Sequence, residues 1–164
     1  MASYAFATSW SFPAPIEKVW EAIFSSARWP EWWKGLERVV EIEPGDAERV
    51  GCVRRFTWKG PLPYRLIVDL RVIRVERPTA IESLASGELE GRGTWSLSQD
   101  AQGTRVRYDW NVCTTKRWMN LAAPFARPLF AWNHDLIMRN GEMGLRRWLA
   151  SGREEATVRL SGVR

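Results

Sequence analysis

The chain has 164 residues, 45% apolar and 26% charged, with a formal net charge of +5. That length suits one domain with a sizeable core, and no repeat or Gly/Ser linker divides it. The cations are interleaved with acids, as in "ERVVEIEPGDAERVGCVRR", so no basic stripe marks a nucleic-acid surface and no nucleic-acid partner is expected.

The first segment, "SYAFATSWSF", puts Tyr4, Phe6, Thr8, Trp10 and Phe12 on one side and small residues on the other, which predicts a half-buried strand. "PAPIEKVWEAIF" follows, with Pro15 at a helix start and Ile16, Val19, Trp20 and Ile23 at helical spacing. A second short helical piece, "ARWPEWW", comes directly after it.

From Leu36 to Thr115 six further strands are predicted: "LERVVEIE", "GCVRRFTWKG", "YRLIVDLRVIRVERP", "AIESLASGE", "GRGTWSLSQD" and "GTRVRYDWNVCTT". Turn-forming residues separate them. Arg54, Phe56 and Trp58 alternate with Arg55, Thr57 and Lys59, so one arginine points inward and needs a carboxylate, for which Asp69 is a candidate, or a ligand anion. Gly91 and Gly93 leave one strand face bare, which permits a bend or a close neighbour.

The last third turns to a 3.6-residue period. A helix is expected from about Trp118 or Leu129 to Ala150, broken or kinked early by Pro124 and Pro128. Residues 1–152 then form one domain and 153–164 a polar, frayed tail. In that helix Asp135, Arg139, Glu142 and Arg146 share one stripe, and Phe130, His134, Ile137, Gly141, Leu145 and Trp148 the opposite one. The single histidine therefore faces inward. Gly141 and Gly144 cost helix propensity, which is offset if a ligand or a closely packed element needs the space.

This order of elements describes an α+β fold, a strongly bent seven-stranded antiparallel sheet wrapped around a long C-terminal helix with two short helices between the first two strands. Three stretches carry a family likeness: "PIEKVWEAIFSSARWPEWWKGLERVVEIE", "GTWSLSQDAQGTRVRYDW" and "NHDLIMRNGEMGL". On these the chain resembles the START-like, helix-grip (SRPBCC) superfamily, and within it the polyketide cyclase/dehydrase and lipid-transport-like group. The resemblance implies an elongated apolar cavity between sheet and helix. It places His134, Phe130, Ile137, Met138 and Gly141 on the helix wall, Tyr108, Trp110, Trp95 and Phe56 on the sheet wall, and Trp33 at the short helices.

Three functions remain open. The first is binding or carriage of a small hydrophobic or aromatic ligand, with His134 and Tyr108 as polar anchors. The second is a cyclase or dehydratase in which His134 is the catalytic acid/base. The third is an interaction module that exposes Trp29, Trp32 and Trp33 as a contact patch. A core histidine satisfied by a strand side chain is the plain structural alternative to all three. Cys52 and Cys113 are far apart, and with one histidine there is no zinc set; no metal and no cofactor are implied. The N-terminus lacks a signal-peptide pattern and no window reaches the length of a membrane span. A cytoplasmic monomer or homodimer with free thiols is the expectation.

Overall fold

A computed structural model describes the backbone of residues 2–161 and the side chains as far as Gly152. Strand β1 (Ser3–Phe12) is followed by helix α1 (Ile16–Phe24) and a 3-10 helix (Ser26–Glu31). Strands β2 (Leu36–Glu43), β3 (Val53–Trp58), β4 (Leu66–Glu76), β5 (Ala80–Gly87), β6 (Leu89–Asp100) and β7 (Gly103–Thr114) come next, and helix α2 (Arg117–Ser161) ends the chain. The seven strands form one sheet in the order β1-β7-β6-β5-β4-β3-β2. All pairs are antiparallel.

Only one connection is long: α1 and the 3-10 helix carry the chain from β1 on one edge to β2 on the other. α1 holds its place because Ile16, Val19, Trp20 and Ile23 repeat at helical spacing and are all buried. Trp29 of the 3-10 helix closes the end of α1, its indole N–H donating to the carbonyls of Ala22 (3.1 Å) and Ile23 (3.0 Å). Those carbonyls belong to the last turn and lack helical partners. Register shifts in β2 and β4 mark bulges, which increase local twist and help the sheet curve.

The outer face of the sheet absorbs the positive charge. Arg55 pairs with Asp69 (2.8 Å), Arg65 with Glu37 (2.6 Å), Arg71 with Glu43 (2.9 Å) and Arg107 with Asp109 (2.8 Å). Each exposed pair is individually weak, yet each neutralises an arginine of that face. The inward arginine of β3 is Arg54, 12% exposed, held 2.9 Å from Glu41 with a further hydrogen bond to Ser26 Oγ at 2.8 Å. Asp69 therefore serves Arg55 on the outside, and Glu41, directly opposite Arg54 on β2, serves the inside.

The structure departs from the sequence expectations in two places. α2 is not broken but runs through Pro124 and Pro128; both prolines are exposed, and each removes one i to i−4 bond, to the carbonyls of Asn120 and Pro124. Trp29, Trp32 and Trp33 form no surface patch: they are 5%, 8% and 2% exposed and stack on one another in the core. The contact-patch function rested on their exposure and falls with it. The polar tail after Gly152 lies partly outside the described residues; its backbone is helical as far as Ser161.

Candidate functional site

The inward face of β1 and the inward face of α2 meet at His134. Phe6 stands opposite Trp110 in the β1–β7 register, and its ring stacks on the His134 imidazole with centroids 4.0 Å apart and planes 11° from parallel. The imidazole is 15% exposed, and neither ring nitrogen has a hydrogen-bond partner. Asp135 Oδ1 is 3.8 Å from Nδ1, too long for a hydrogen bond. Burial pushes the His134 pKa below its ordinary 6.5, and Asp135 opposes this only in part. The ring is therefore neutral at pH 7, with one nitrogen free to donate and the other to accept.

Two small chambers flank this ring, each of about 90 Å³. They share Leu66, Leu89, Trp110, His134 and Ile137 as wall residues. The first also has Tyr4, Phe6, Tyr64, Met119, Phe130 and Asn133, and the second Trp29, Trp33, Trp58, Trp95, Tyr108 and Met138. No Asp, Glu, Lys or Arg lines either one. Tyr4 Oη and Asn133 Oδ1 in the first chamber are also buried without a partner. Unsatisfied buried polar atoms are uncommon because each costs about 1–3 kcal/mol; among the described residues three of the four that carry them, His134, Tyr4 and Asn133, line this cavity, and the fourth, Trp20 with its Nε1, lies away from it.

Aromatic planes make the opposite wall. Tyr108 stacks on Trp95 at 4.1 Å and on Trp110 at 5.8 Å, with planes within 24° and 22°. Gly93 of β6 makes that arrangement possible, since a Cβ there would lie 2.7 Å from Tyr108 Oη and 2.9 Å from the Trp110 ring. Burial drives the Tyr108 phenol far above its ordinary pKa, so it stays protonated at any physiological pH.

Of the residues expected on the cavity wall, His134, Tyr108, Trp110, Phe130, Ile137, Met138, Trp95 and Trp33 are brought together there. Gly141 and Phe56 are not. Gly141 receives the Trp33 indole, whose ring atoms would lie 2.5–2.8 Å from an added Cβ and whose N–H donates to the Ile137 carbonyl at 2.8 Å. Gly144 likewise makes room for the Trp32 carbonyl, so close packing of an element explains both helix glycines. Phe56 packs on Trp29 and faces a separate crevice of about 50 Å³ beside Arg54 and Cys52.

Sequence reasoning missed Tyr4, Phe6 and Asn133 as wall residues. The alternation of β1 pointed Tyr4 and Phe6 inward, but only the β1–β7 pairing brings them beside His134. Asn133 sits next to the inward stripe of α2 and turns toward Gly60.

A larger concavity, about 470 Å³, is elsewhere, an open groove between α1 and α2 rimmed by Glu17, Lys18, Glu21 and Arg28. It ends at Gly152, where the described side chains stop, and no orphaned polar atom lines it. The first chamber beside His134 brings together unsatisfied polar groups, which the groove does not.

Known proteins place this architecture. An aromatase/cyclase, Zhui, from Streptomyces sp. R1128 has a similar structure, with a TM-score of 0.72 over 98% of this chain and 99% of that one at 16% identity. Ms6760 from Mycobacterium smegmatis matches at a TM-score of 0.65 and 14% identity, covering 90% of this chain and 92% of its own. StfQ, a di-domain aromatase/cyclase of the steffimycin biosynthetic pathway, matches at 0.64 and 13% identity, covering 87% of this chain and 50% of its own. The chain thus spans about half of that di-domain protein. At these identities the likeness concerns the fold. No curated protein matches the sequence. The family model described as polyketide cyclase/dehydrase and lipid transport matches residues 4–141, most of the chain, and the protein belongs to that family.

Proposed function

We propose that the protein binds a compact, uncharged hydrophobic or aromatic compound, lipid- or polyketide-like, bearing a carbonyl or hydroxyl that His134 recognises. The observation that carries this is the set of partnerless polar atoms on His134, Tyr4 and Asn133 in a wall otherwise built of apolar and aromatic groups. A neutral imidazole both donates and accepts, so it fits a carbonyl or a hydroxyl equally. The absence of charged wall residues disfavours a buried carboxylate or ammonium, which would stay unpaired.

The chamber size constrains the ligand. Pockets for drug-sized compounds run to roughly 300–1,000 Å³, whereas each chamber here is about 90 Å³. A one- or two-ring group spanning both chambers past His134 fits that space, with its planes parallel to the Trp95–Tyr108–Trp110 stack. Family membership and the aromatase/cyclase neighbours support the same class of ligand.

A second reading is catalytic: His134 moves a proton on a carbonyl substrate in a cyclisation or dehydration. It is favoured by the second polar group such chemistry needs, since Tyr4 and Asn133 line the same chamber as His134. No buried carboxylate orients the ring, which favours binding over proton transfer.

The test is thermal stability of wild type and His134→Ala with a panel of fatty acids, flavonoids and aromatic polyketides. A binder at 100 times its Kd stabilises the native state by about 2.7 kcal/mol, and His134→Ala should lose most of that gain while Arg107→Ala on the outer face keeps it. A panel in which no compound stabilises the wild type would refute the proposal. Product formation by the wild type that His134→Ala lacks would establish the catalytic reading.

A further inference from the structure

Most large exposed apolar side chains lie on one helix. Ile42, Ile67 and Leu84 are scattered on the sheet, but Trp118, Leu121, Phe125, Leu129, Trp132 and Met143 all belong to α2. They are far from marginally exposed: Leu121 is 81% and Phe125 91% accessible. At 100° per residue the six fall within an arc of about 80°, on the side of the helix opposite His134. They form a stripe roughly 38 Å long at 1.5 Å per residue.

Charge along the stripe has one sign. The other positions in the same arc are Leu136, Arg139, Arg147 and Ala150, and no acidic residue occurs between Asp109 and Asp135. Arg139 and Arg147 make no ion pair among the described residues, unlike the paired arginines of the outer sheet face; Asp135 lies outside the arc, on its flank. A second copy of the chain would bring the same apolar groups together with the same arginines, and the arc offers no acid to meet them. An anionic lipid surface satisfies both features at once, taking the rings and aliphatic groups at the acyl boundary and the guanidinium groups at phosphate level.

We infer that the outward stripe of α2 docks flat on an anionic lipid bilayer, with Leu121 and Phe125 as the inserted residues and Arg139 and Arg147 on the headgroups. No described helix is long and apolar enough to cross a membrane, so the attachment is interfacial. Docking brings the ligand chamber to the lipid: Trp118 packs edge-on against Tyr64 at 5.4 Å, and Tyr64 is a wall residue of the first chamber. The inference stands apart from the ligand reading, because a chamber that takes no ligand would leave the stripe unchanged.

The experiment is co-sedimentation of the full chain with phosphatidylcholine vesicles, with and without phosphatidylserine, at low and high salt. Wild type should bind the phosphatidylserine vesicles more tightly, and less so as salt rises. Phe125→Asp should weaken binding roughly tenfold or more, the loss expected when one large apolar side chain no longer inserts. Arg139→Gln with Arg147→Gln should weaken it too and flatten the salt dependence. All these positions are exposed, so an unchanged melting temperature shows that the fold is intact. Absence of binding to either vesicle, or binding that Phe125→Asp leaves untouched, would overturn the inference. So would a wild-type dimer that Phe125→Asp dissolves while vesicles stay free.

Discussion

His134 is held by stacking on Phe6 and by the neighbouring helix turns, and not by hydrogen bonds. That gives its removal an unusual signature. Truncating a hydrogen-bonded core histidine strands its partner, at about 1–3 kcal/mol; His134 has none to strand, so His134→Ala should cost only its packing. Two glycines on the same helix provide a sharper residue-scale test. Gly→Ala in a helix gains about 1 kcal/mol from propensity, and at Gly152, where an added Cβ meets nothing within 4 Å, that gain should appear in full. At Gly141 the Cβ would press on Trp33 from 2.5 Å, and overpacking of about 1–3 kcal/mol reverses the sign. Equal shifts in melting temperature for the two variants would contradict the packing described for Trp33.

α2 is uneven along its length. Residues 117–128 contain two prolines and bury only Met119 and Ala123, while Met138, Gly141 and Leu145 are buried within 134–145. With fewer i to i−4 bonds and less burial, amides of residues 117–128 should exchange with solvent roughly tenfold or more faster than those of 134–145. Pro128→Ala should narrow the difference, and uniform protection along the helix would argue against it. The elements themselves were largely legible in the sequence. Turn-forming residues delimited the strands, period-2 alternation set the inner faces of β1, β4 and β7, and the 3.6-residue stripe placed His134 on the inner face. What escaped depended on contacts between distant segments. Continuity through Pro124 and Pro128 depends on which side of the helix faces water. Burial of Trp32 and Trp33 depends on bare glycine backbone more than a hundred residues away, at Gly144 and Gly141. The convergence of Tyr4, Asn133 and His134 depends on β1 pairing with β7 across nearly the whole chain.

For the whole molecule, the pKa shifts divide acid sensitivity into two windows. Folding lowers the His134 pKa, so between that value and 6.5 the unfolded chain binds a proton that the native state refuses. Stability is thus full above about 6.5 and falls with pH until the folded-state pKa is passed. Glu37, Glu43 and Asp109 are lowered chiefly by hydrogen bonds from their arginines, and their contributions are lost only at lower pH, below about 4.5. His134→Phe should flatten the melting-temperature profile just below about 6.5 and leave the steeper loss below about 4.5; an unchanged profile just below 6.5 would mean that His134 is ordinarily hydrated. Because the chain contains a single histidine, the most direct measurement is an NMR titration of its imidazole in the tag-free protein, alone and with each compound of the ligand panel. The account predicts a midpoint below 6.5 and ring resonances that move when a compound with a carbonyl or hydroxyl binds. A midpoint at the ordinary value, with resonances that no compound displaces, would contradict a ligand chamber anchored by His134.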